Sequence, residues 1–477
     1  MWKRLAAVLA LGLLFFYGLT RTGLVGPDEP RYASIGREMA RSGDWVTPRL
    51  WGEPWFEKPP LSYWMTAAGN LAGLGPDLAG RLPVALLSVA FLILYYWCLR
   101  AEFGRRAALF ASMVLASSAA WVAFSRVGVT DLPMAALFSA AMLLGLRWVS
   151  TGERRLIAAA AFFLGLAVLA KGLVPLVLAV PLLWAGRRRL KDWRLLFPLA
   201  VFFLTAAPWY ILCYFRNGPV FLNEFFWRHH FDRFSSGVGF HEEPFWFYLP
   251  VLVAGLFPWS PALVALIRRG LYRDPGRRFL LLWLGFGFVF FSASSGKLPG
   301  YLLPLYPALA ALVGLALDQM KNARWVLGAS GLGLTAVPIV GPILPAALAN
   351  LPSPAVLAGW DLRFAIGCAV LGTGVWWLEK SGRRGAAMAV LSAAAVGGVF
   401  YLSITALPEV DRQASARPLW REVAADPSGV CVDNIHRNWR YGLNYYSVTP
   451  LPECGPSHWP LRIEQTPGSP PVLKRTP

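Results

Sequence analysis

Long apolar runs are the feature that most limits what this chain can fold into. About thirteen of them follow one another, many close to the ~20 residues that a helix needs to cross a bilayer. In hydrocarbon, a chain satisfies its backbone hydrogen bonds only within helices or closed barrels. Because 56% of the residues are hydrophobic and only 15% are charged, the sequence predicts an α-helical polytopic membrane protein and excludes a soluble one. The runs lie at about 5–19, 81–99, 107–124, 132–149, 156–170, 173–185, 196–215, 247–267, 279–294, 300–317, 325–346, 363–378 and 386–404.

Positive charge predicts the orientation of these runs. A formal net charge of +19 would suggest a nucleic-acid partner for a soluble protein, but here the arginines and lysines form short clusters in every second loop. The positive-inside rule assigns those loops to the cytoplasm, so we expect the N-terminus inside, the tail outside and no nucleic acid as partner. The clusters lie at 3–4, 100–106, 147–155, 187–194, 268–278, 321–324 and 380–384.

Two long loops, 20–80 and 216–246, fall on the outer face in this topology, as the first and fourth outer loops. Loops of this length are usually functional. In the first outer loop, Pro30 suits an opening helical turn, and apolar residues recur at helical spacing over 32–39 before Ser-Gly at 42–43. This pattern predicts a short amphipathic helix along the membrane surface. Alternating aromatic and titratable residues in the fourth outer loop predict a second interfacial element.

The chain changes character near residue 407, where polar residues replace the apolar runs. We therefore predict a transmembrane domain over 1–406 and a small extracytoplasmic α/β domain over 407–477, close to the lower size limit for independent folding. The proline-rich end is expected to be disordered. Within this tail we expect a helix over 410–426, strands at 429–432 and 443–448, and disorder over 466–477.

The five cysteines show no CxxC spacing and no disulfide framework. Three of them lie inside apolar runs. Only Cys431 and Cys454, both in the polar tail, are placed so that they could pair, and the sequence leaves open whether they do.

Several outer-face segments, taken together and in order, resemble one protein family. They include Gly-x-Asp-Glu-x-Arg-Tyr at 26–32, Phe-Glu-Lys-Pro at 56–59 and Ser-Gly-Lys-Leu-Pro-Gly-Tyr at 295–301, with further matches at 42–50, 126–131 and 245–250. The set is similar to the aminoarabinose transferase branch of the polyprenyl-phosphate-sugar glycosyltransferases, which are related to the protein O-mannosyltransferases. The likeness ends at about residue 310.

The resemblance implies the GT-C architecture, a transmembrane helical bundle with a cavity on its outer face. Proteins of this kind move a sugar, with inversion, from a polyprenyl (undecaprenyl) phosphate to an acceptor. Such a reaction needs a carboxylate for the acceptor, cations for the phosphate leaving group and an apolar groove for the lipid. The predicted outer face offers all three.

Two carboxylates are the candidate catalytic groups. By resemblance, Asp28 is the catalytic carboxylate and Asp131 acts beside it, with Glu29 facing elsewhere or supporting Asp28. A hydroxyl acceptor would need Asp28 as a base, whereas a phosphate acceptor is already anionic and needs mainly positioning. The ordinary alternatives are a helix cap for Asp28 and an interfacial anchor for Asp131.

Cations and a phenol are the candidate ligands of the donor phosphate. By resemblance, Lys58 binds the phosphate with Arg233 and Tyr301 as partners, and Lys297 is a further candidate. Prolines hold Glu57-Lys58 in an extended geometry. A surface ion pair is the alternative for Glu57-Lys58, and a snorkelling anchor is the alternative for Lys297.

A divalent metal ion is a further expectation, with Glu57, His229 and His230 as ligands. Adjacent histidines rarely both bind one ion, and Arg-His-His at 228–230 departs from the Glu-His pair of many relatives. Interfacial hydrogen bonding is therefore the alternative for these histidines. The chain has no glycine-rich phosphate turn after a strand, so we expect no nucleotide cofactor.

The sequence thus predicts a glycosyltransferase of the inner (plasma) membrane, with its active site and C-terminus extracytoplasmic or periplasmic. The expected partners are a polyprenyl-phosphate-sugar donor, an envelope acceptor and membrane lipids. Aminoarabinose transfer to lipid A is the leading interpretation, and mannosyltransferase-like transfer to a protein or another glycan is the alternative. A transporter or a non-catalytic lipid-glycan binder are rivals, although the only prominent intramembrane charge is Lys171, between two short runs that could form a broken hairpin.

Overall fold

The computed structural model describes residues 2–189, 192–225, 227, 243–349, 361–455, 459–466 and 468–475, and most of these residues are helical. The first twelve helices are α1 (Trp2–Phe15), α2 (Asp28–Ser42), α3 (Leu61–Leu71), α4 (Arg81–Phe103), α5 (Arg105–Ala116), α6 (Ala119–Phe124), α7 (Asp131–Thr151), α8 (Arg154–Lys171), α9 (Val174–Leu178), α10 (Val180–Gly186), α11 (Leu196–Asn217) and α12 (Pro219–Leu222). The others are α13 (Tyr248–Gly255), α14 (Pro275–Ala293), α15 (Tyr306–Gln319), α16 (Arg324–Gly333), α17 (Val337–Ala349), α18 (Leu362–Lys380), α19 (Arg384–Thr405), α20 (Leu407–Ala414), α21 (Arg417–Val423) and α22 (Arg437–Tyr446). The 3₁₀ turns include Ser260–Ile267 and Pro299–Leu305.

Every apolar run of the sequence carries helix, which makes this a multi-pass membrane protein. Within the described residues, seven helical segments are individually long and apolar enough to cross a bilayer, and the pair Tyr248–Gly255 and Ser260–Ile267, bent by 111°, would be an eighth. The remaining runs form shorter, broken or more polar helices, so thirteen spans stay a prediction. The seven are Arg81–Phe103, Asp131–Thr151, Leu196–Asn217, Pro275–Ala293, Pro299–Gln319, Arg324–Ala349 and Arg384–Thr405.

Two of these segments form the centre of the bundle. The most apolar windows of Asp131–Thr151 and Pro299–Gln319 are 89% and 94% buried. A Cβ on Gly314 would lie 2.4 Å from the backbone nitrogen of Ala111, so only glycine permits the close crossing of α15 and α5. Because Asp131 and Tyr301 lie in the first turns of these segments, the best-packed part of the fold carries two predicted site residues.

The first outer loop folds as the sequence predicts. Helix α2 buries Tyr32, Ile35 and Met39, and it ends where Gly43 takes the left-handed conformation (φ 70°) and donates its N–H to Met39. A short hairpin, β1 (Arg49–Leu50) with β2 (Glu53–Pro54), follows. The predicted interfacial element of the fourth outer loop, 224–234, lies mostly outside the described residues, and the short helix α12 precedes it.

A buried ion pair fixes the start of α2. Glu29, 1% exposed, accepts hydrogen bonds from Nε and Nη2 of Arg81, 3% exposed, at 2.7 and 2.6 Å. Glu29 also accepts from the backbone N–H groups of Val25 and Gly128, while Arg81 donates to the carbonyls of Leu19, Thr22 and Gly23. Because both charges are surrounded by further hydrogen bonds, they are compensated in the interior. The pair joins the first outer loop to α4 and to the loop before Asp131.

The C-terminal tail folds as three helices and a three-stranded sheet, β3 (Val430–Asp433), β4 (Leu461–Glu464) and β5 (Val472–Arg475). Strand β4 lies in the middle, parallel to β3 and antiparallel to β5. A disulfide joins Cys431 to Cys454. Helix α22 packs on α2. Whether 407–477 is a separate domain stays a prediction.

Two predictions for this tail are wrong. Residues 443–448 are not a strand, because Leu443 and Tyr445 lie on the buried face of the amphipathic helix α22. Aromatic residues in a short apolar stretch suit either a strand or a helix, and packing decides between them. The proline-rich end is not wholly irregular either, because β5 forms there by pairing with β4.

We expect Arg81→Met to destabilise the protein by about 3–5 kcal/mol, because it leaves the carboxylate of Glu29 buried without its counter-charge. Thermal or chemical unfolding of the purified protein in detergent measures the loss. Arg106→Met is the matched control, since Arg106 pairs with Asp318 but is 61% exposed, and it should cost less than about 1 kcal/mol. Equal stability of the two variants would contradict the anchoring role of the pair.

Candidate active site

Asp28 is the first residue of α2 and faces away from the buried pair. Its side chain is 49% exposed, and Oδ1 accepts a hydrogen bond from Nη2 of Arg31 at 2.6 Å, one helical turn later. Pro27 occupies the capping position and no side chain caps the helix. The helix-cap alternative for Asp28 is therefore wrong, and its carboxylate is half exposed to solvent.

Arg31 connects Asp28 to the second charged segment of the first outer loop. Its Nη2 lies 3.0 Å from Oε2 of Glu57, and Nζ of Lys58 lies 3.5 Å from Oε1 of the same carboxylate. Glu57 is 5% exposed and Lys58 is 15% exposed, so the surface ion pair considered for them is wrong. Asp28, Arg31, Glu57 and Lys58 form a row of alternating charge that we call the first-loop cluster.

Sequence reasoning missed Arg31 as a site residue. The sequence shows it only as part of the motif at 26–32, but it is largely buried beneath the aromatic rings of Tyr32 and Trp55, at 5.3 and 5.4 Å from its guanidinium carbon. Burial opposes its charge, but the charges of Tyr32, Glu57 and Asp28 outweigh that effect and raise the pKa of Arg31 above its ordinary value. Its position three residues after Asp28, one helical turn away, was the available indication.

A second group lies at the outer ends of the central helices. Asp131 begins α7, and its Oδ1 accepts a hydrogen bond from Nζ of Lys171 at 2.6 Å. The ammonium of Lys171 also lies 4.9 Å from the ring centre of Tyr301, and that ring packs on Phe291. Asp131, Lys171 and Tyr301 form what we call the helix-end cluster.

Lys171 is the other site residue that sequence reasoning did not identify as one. It ends α8, where Gly172 begins the turn toward α9. An ionisable residue between two apolar runs is usually functional or paired, and that pattern was visible in the sequence. Val129, two residues before Asp131, packs in the same hydrophobic cluster as Tyr32 and Tyr63, which brings the helix-end cluster close to the first-loop cluster.

Lys297 is directed differently from the other predicted phosphate ligands. Its ammonium donates to the backbone carbonyls of Glu243 and Ser294, at 2.9 and 2.7 Å, and the residue is 6% exposed. A snorkelling anchor would keep its ammonium in water, so that alternative is wrong. In this arrangement Lys297 holds the segment before Tyr301, and direct contact with a phosphate stays a prediction.

Buried donors without acceptors surround the first-loop cluster. Within the described part of the chain, Nε of Arg31, Nε1 of Trp55 and the hydroxyl of Tyr63 have no hydrogen-bond partner. Burial and the nearby charge of Glu57 raise the pKa of Tyr63 well above its usual range, so its hydroxyl keeps its proton. Buried donors normally find partners. Their concentration here suits a ligand rich in oxygen atoms.

The described residues do not fit the expected metal site. No three His, Cys, Asp or Glu side chains converge among them, and Glu57, one of the predicted ligands, pairs with Arg31 and Lys58 instead. The other two predicted ligands, His229 and His230, lie outside the described residues, as does Arg233. A divalent metal therefore stays a prediction, and no chemical step is assigned to it.

The two clusters together present an exposed carboxylate, cations and a phenol on one side of the bundle. Asp28 can accept or orient a proton, because its carboxylate is half exposed and held by Arg31. Lys58, Lys171 and Tyr301 can stabilise a developing negative charge nearby. Such a set is suited to displacing an anionic leaving group.

Comparison with known proteins identifies relatives of this chain. A sequence profile described as dolichyl-phosphate-mannose-protein mannosyltransferase matches residues 1–226. The undecaprenyl phosphate-α-4-amino-4-deoxy-L-arabinose arabinosyl transferase of Edwardsiella ictaluri is 33% identical over 437 residues, 85% of this chain and 78% of that protein. A Pseudomonas fluorescens protein of the same name, numbered 2, is 35% identical over 68% of this chain and 57% of its own length. The chain thus spans less than two thirds of some of its curated relatives.

Solved structures agree with this relationship. The crystal structure of ArnT from Cupriavidus metallidurans bound to undecaprenyl phosphate superimposes with a TM-score of 0.74 and 29% identity, over 96% of this chain and 86% of that one. Arabinosyltransferase EmbB from Mycobacterium smegmatis, at 15% identity, matches with a TM-score of 0.53 over 92% of this chain and 42% of its own. At that identity EmbB shows the fold alone. The predicted GT-C fold is confirmed.

A double-mutant cycle tests the pairing of Asp131 with Lys171. We expect Asp131→Asn and Lys171→Met together to destabilise the protein by about 0.5–3 kcal/mol less than the sum of the single changes, because each single change leaves one partly buried group unpaired. Unfolding of the four proteins in detergent measures the coupling. Additive effects would show that the two groups do not interact.

Proposed function

The chain belongs to the family of undecaprenyl phosphate-aminoarabinose arabinosyl transferases, and from that premise we propose that it is an inverting glycosyltransferase of the GT-C type. It moves a sugar from an undecaprenyl phosphate donor to an envelope acceptor. We propose aminoarabinose, which the names of its relatives carry, as the sugar and lipid A as the acceptor. The observation that carries the proposal is the half-exposed carboxylate of Asp28, held by Arg31, which also pairs with Glu57 beside Lys58.

The sugar leaves as the bond between its anomeric carbon and the phosphate oxygen breaks. The acceptor oxygen forms the new bond from the opposite side, which inverts the configuration. A hydroxyl acceptor gives its proton to Asp28, whereas an anionic phosphate acceptor needs only to be oriented there. Placing both reactants beside one fixed carboxylate lowers the entropic part of the barrier.

The polyprenyl phosphate leaves as an anion that needs positive charge and hydrogen bonds. Lys58 and the hydroxyl of Tyr301 supply them in our proposal, and Lys171 supports both Asp131 and Tyr301. Arg233 and Lys297 are further predicted ligands of this phosphate. The unpartnered donors on Arg31, Trp55 and Tyr63 suit the oxygen atoms of the sugar and its phosphate.

The membrane supplies the route for the donor. Many large apolar side chains on α11 are exposed, among them Phe203, Leu204 and Phe215, as expected for a surface in contact with lipid. We place the protein in the inner membrane with the clusters on the periplasmic side, as the distribution of positive charge predicts. Envelope acceptors and lipid-linked donors meet on that side.

A protein or another glycan as acceptor remains the alternative within the same chemistry, which the match to the mannosyltransferase profile supports. A transporter is less well supported. The clustered charges of Asp28, Lys58 and Asp131 lie near one end of the bundle, whereas a transport path would carry polar groups through its centre.

A sugar-transfer assay with the purified protein tests the proposal. We expect wild-type protein in detergent to move radiolabelled aminoarabinose from undecaprenyl phosphate to lipid A, and Asp28→Asn to lower the rate by about 10²–10⁴-fold. Binding of undecaprenyl phosphate by Asp28→Asn should change little, because the carboxylate acts on the acceptor. Radiolabelled mannose on the same lipid, offered with protein acceptors, tests the alternative.

Arg41→Gln is the matched control, since Arg41 is exposed in the last turn of the same helix. It should retain full activity. Wild-type rates in Asp28→Asn would contradict the role of Asp28. If the wild type moves intact donor across vesicle membranes without transferring sugar, the result would favour a transporter.

A further inference from the structure

The C-terminal tail contacts the proposed active site through one side chain. Tyr441 of α22 lies with its ring centre 5.5 Å from the guanidinium carbon of Arg31. Tyr32 and Trp55 cover the same guanidinium from α2 and from the segment after the hairpin. Three aromatic rings, one of them from a part of the chain some four hundred residues away, therefore surround one arginine.

Arg31 is the group whose placement matters most in the first-loop cluster. A single nitrogen, Nη2, lies 2.6 Å from Asp28 and 3.0 Å from Glu57. A guanidinium is planar, and rings that stack on it fix the direction of its nitrogens. Tyr441 therefore influences the position of the Asp28 carboxylate without touching it.

The same tyrosine holds the tip of the hairpin in the first outer loop. Trp51 packs on Tyr441 with ring centres 5.6 Å apart. Trp51 and Gly52 have positive φ angles of 59° and 88°, as the two-residue turn of this hairpin requires. The contact with Tyr441 therefore joins the tail to the hairpin turn.

Specific polar contacts dock α22 and its neighbours on the first outer loop. The hydroxyl of Tyr446 donates to Asp77 at 2.6 Å and accepts from the N–H of Leu24. Burial raises the pKa of Tyr445 to about 12, so its hydroxyl keeps its proton and donates to the carbonyl of Pro76. Arg417 pairs with Asp77 at 2.6 Å. The placement of Tyr441 thus follows from a built interface.

We propose that Tyr441 is a positioning residue for the transfer reaction, and that the C-terminal tail completes the active site by packing this ring on Arg31. This rests on the proposed function. Nothing in the sequence of the tail indicated such a role, because the contact joins α22 to a helix near the other end of the chain. The tail is therefore part of the catalytic unit.

Removing the aromatic ring of Tyr441 tests this proposal. We expect Tyr441→Leu to lower kcat for sugar transfer by about 3- to 30-fold, the range that a cation–π contact supports, with a smaller change in KM for the donor. Tyr441→Phe keeps the ring and should stay within about twofold of wild type. Ile463→Val is the structural control: it shortens a fully buried side chain of strand β4 in the tail, so it should lower the unfolding temperature but preserve kcat.

A second measurement needs no catalysis. Phenylglyoxal modifies accessible arginines, and mass spectrometry of the full-length protein reports the rate at Arg31. We expect Tyr441→Leu to raise that rate several-fold and Tyr441→Phe to leave it unchanged. If the wild-type protein transfers no sugar, the proposed function is wrong. The labelling experiment would still test the contact between Tyr441 and Arg31. Three results would overturn the proposal: unchanged labelling of Arg31 in Tyr441→Leu, the same loss of kcat in Tyr441→Leu and Tyr441→Phe, or an equal loss of kcat in Ile463→Val.

Discussion

The buried ion pair between Glu29 and Arg81 is the constraint on which the rest of the site depends. Both charges are almost fully removed from water, so they are stable only with their mutual hydrogen bonds and the surrounding backbone partners intact. Successive residues of a helix point about 100° apart. With Glu29 turned inward, Asp28 is directed to the outer face beside Arg31. The backbone N–H of Gly128 donates to Glu29, and this hydrogen bond fixes the loop that leads directly to Asp131.

The site is thus assembled from helix ends and loop segments that a rigid bundle holds in place. Asp131 and Tyr301 lie at the ends of the most deeply buried helical segments, and Lys171 links the two. Asp28, Glu57 and Lys58 come from the first outer loop, and Tyr441 comes from the tail. Charges placed at the edge of a low-dielectric bundle act strongly on one another and on a bound anion. Flexible loops alone would not hold them with this accuracy.

Local patterns predicted much of this from the sequence. The apolar runs predicted the helical bundle, and the spacing of Tyr32, Ile35 and Met39 predicted helix α2. The motifs around Asp28 and Lys58 indicated the family and, through it, the fold. The sequence could not predict contacts made across the chain. Arg31 received no role from the sequence because its aromatic cover includes a residue of the tail, and Lys171 looked isolated because Asp131 lies 40 residues earlier. The strand expected at 443–448 was wrong because a helix buries the same residues against α2.

The central claim is that a polyprenyl phosphate binds between the first-loop cluster and the helix-end cluster. Determining the structure of the protein with undecaprenyl phosphate bound tests it most directly. We predict the phosphate in contact with Lys58 and the hydroxyl of Tyr301, with Asp28 facing the position where the sugar would be attached. A phosphate bound elsewhere on the bundle, with Asp28 and Lys58 unchanged and out of reach, would contradict this account.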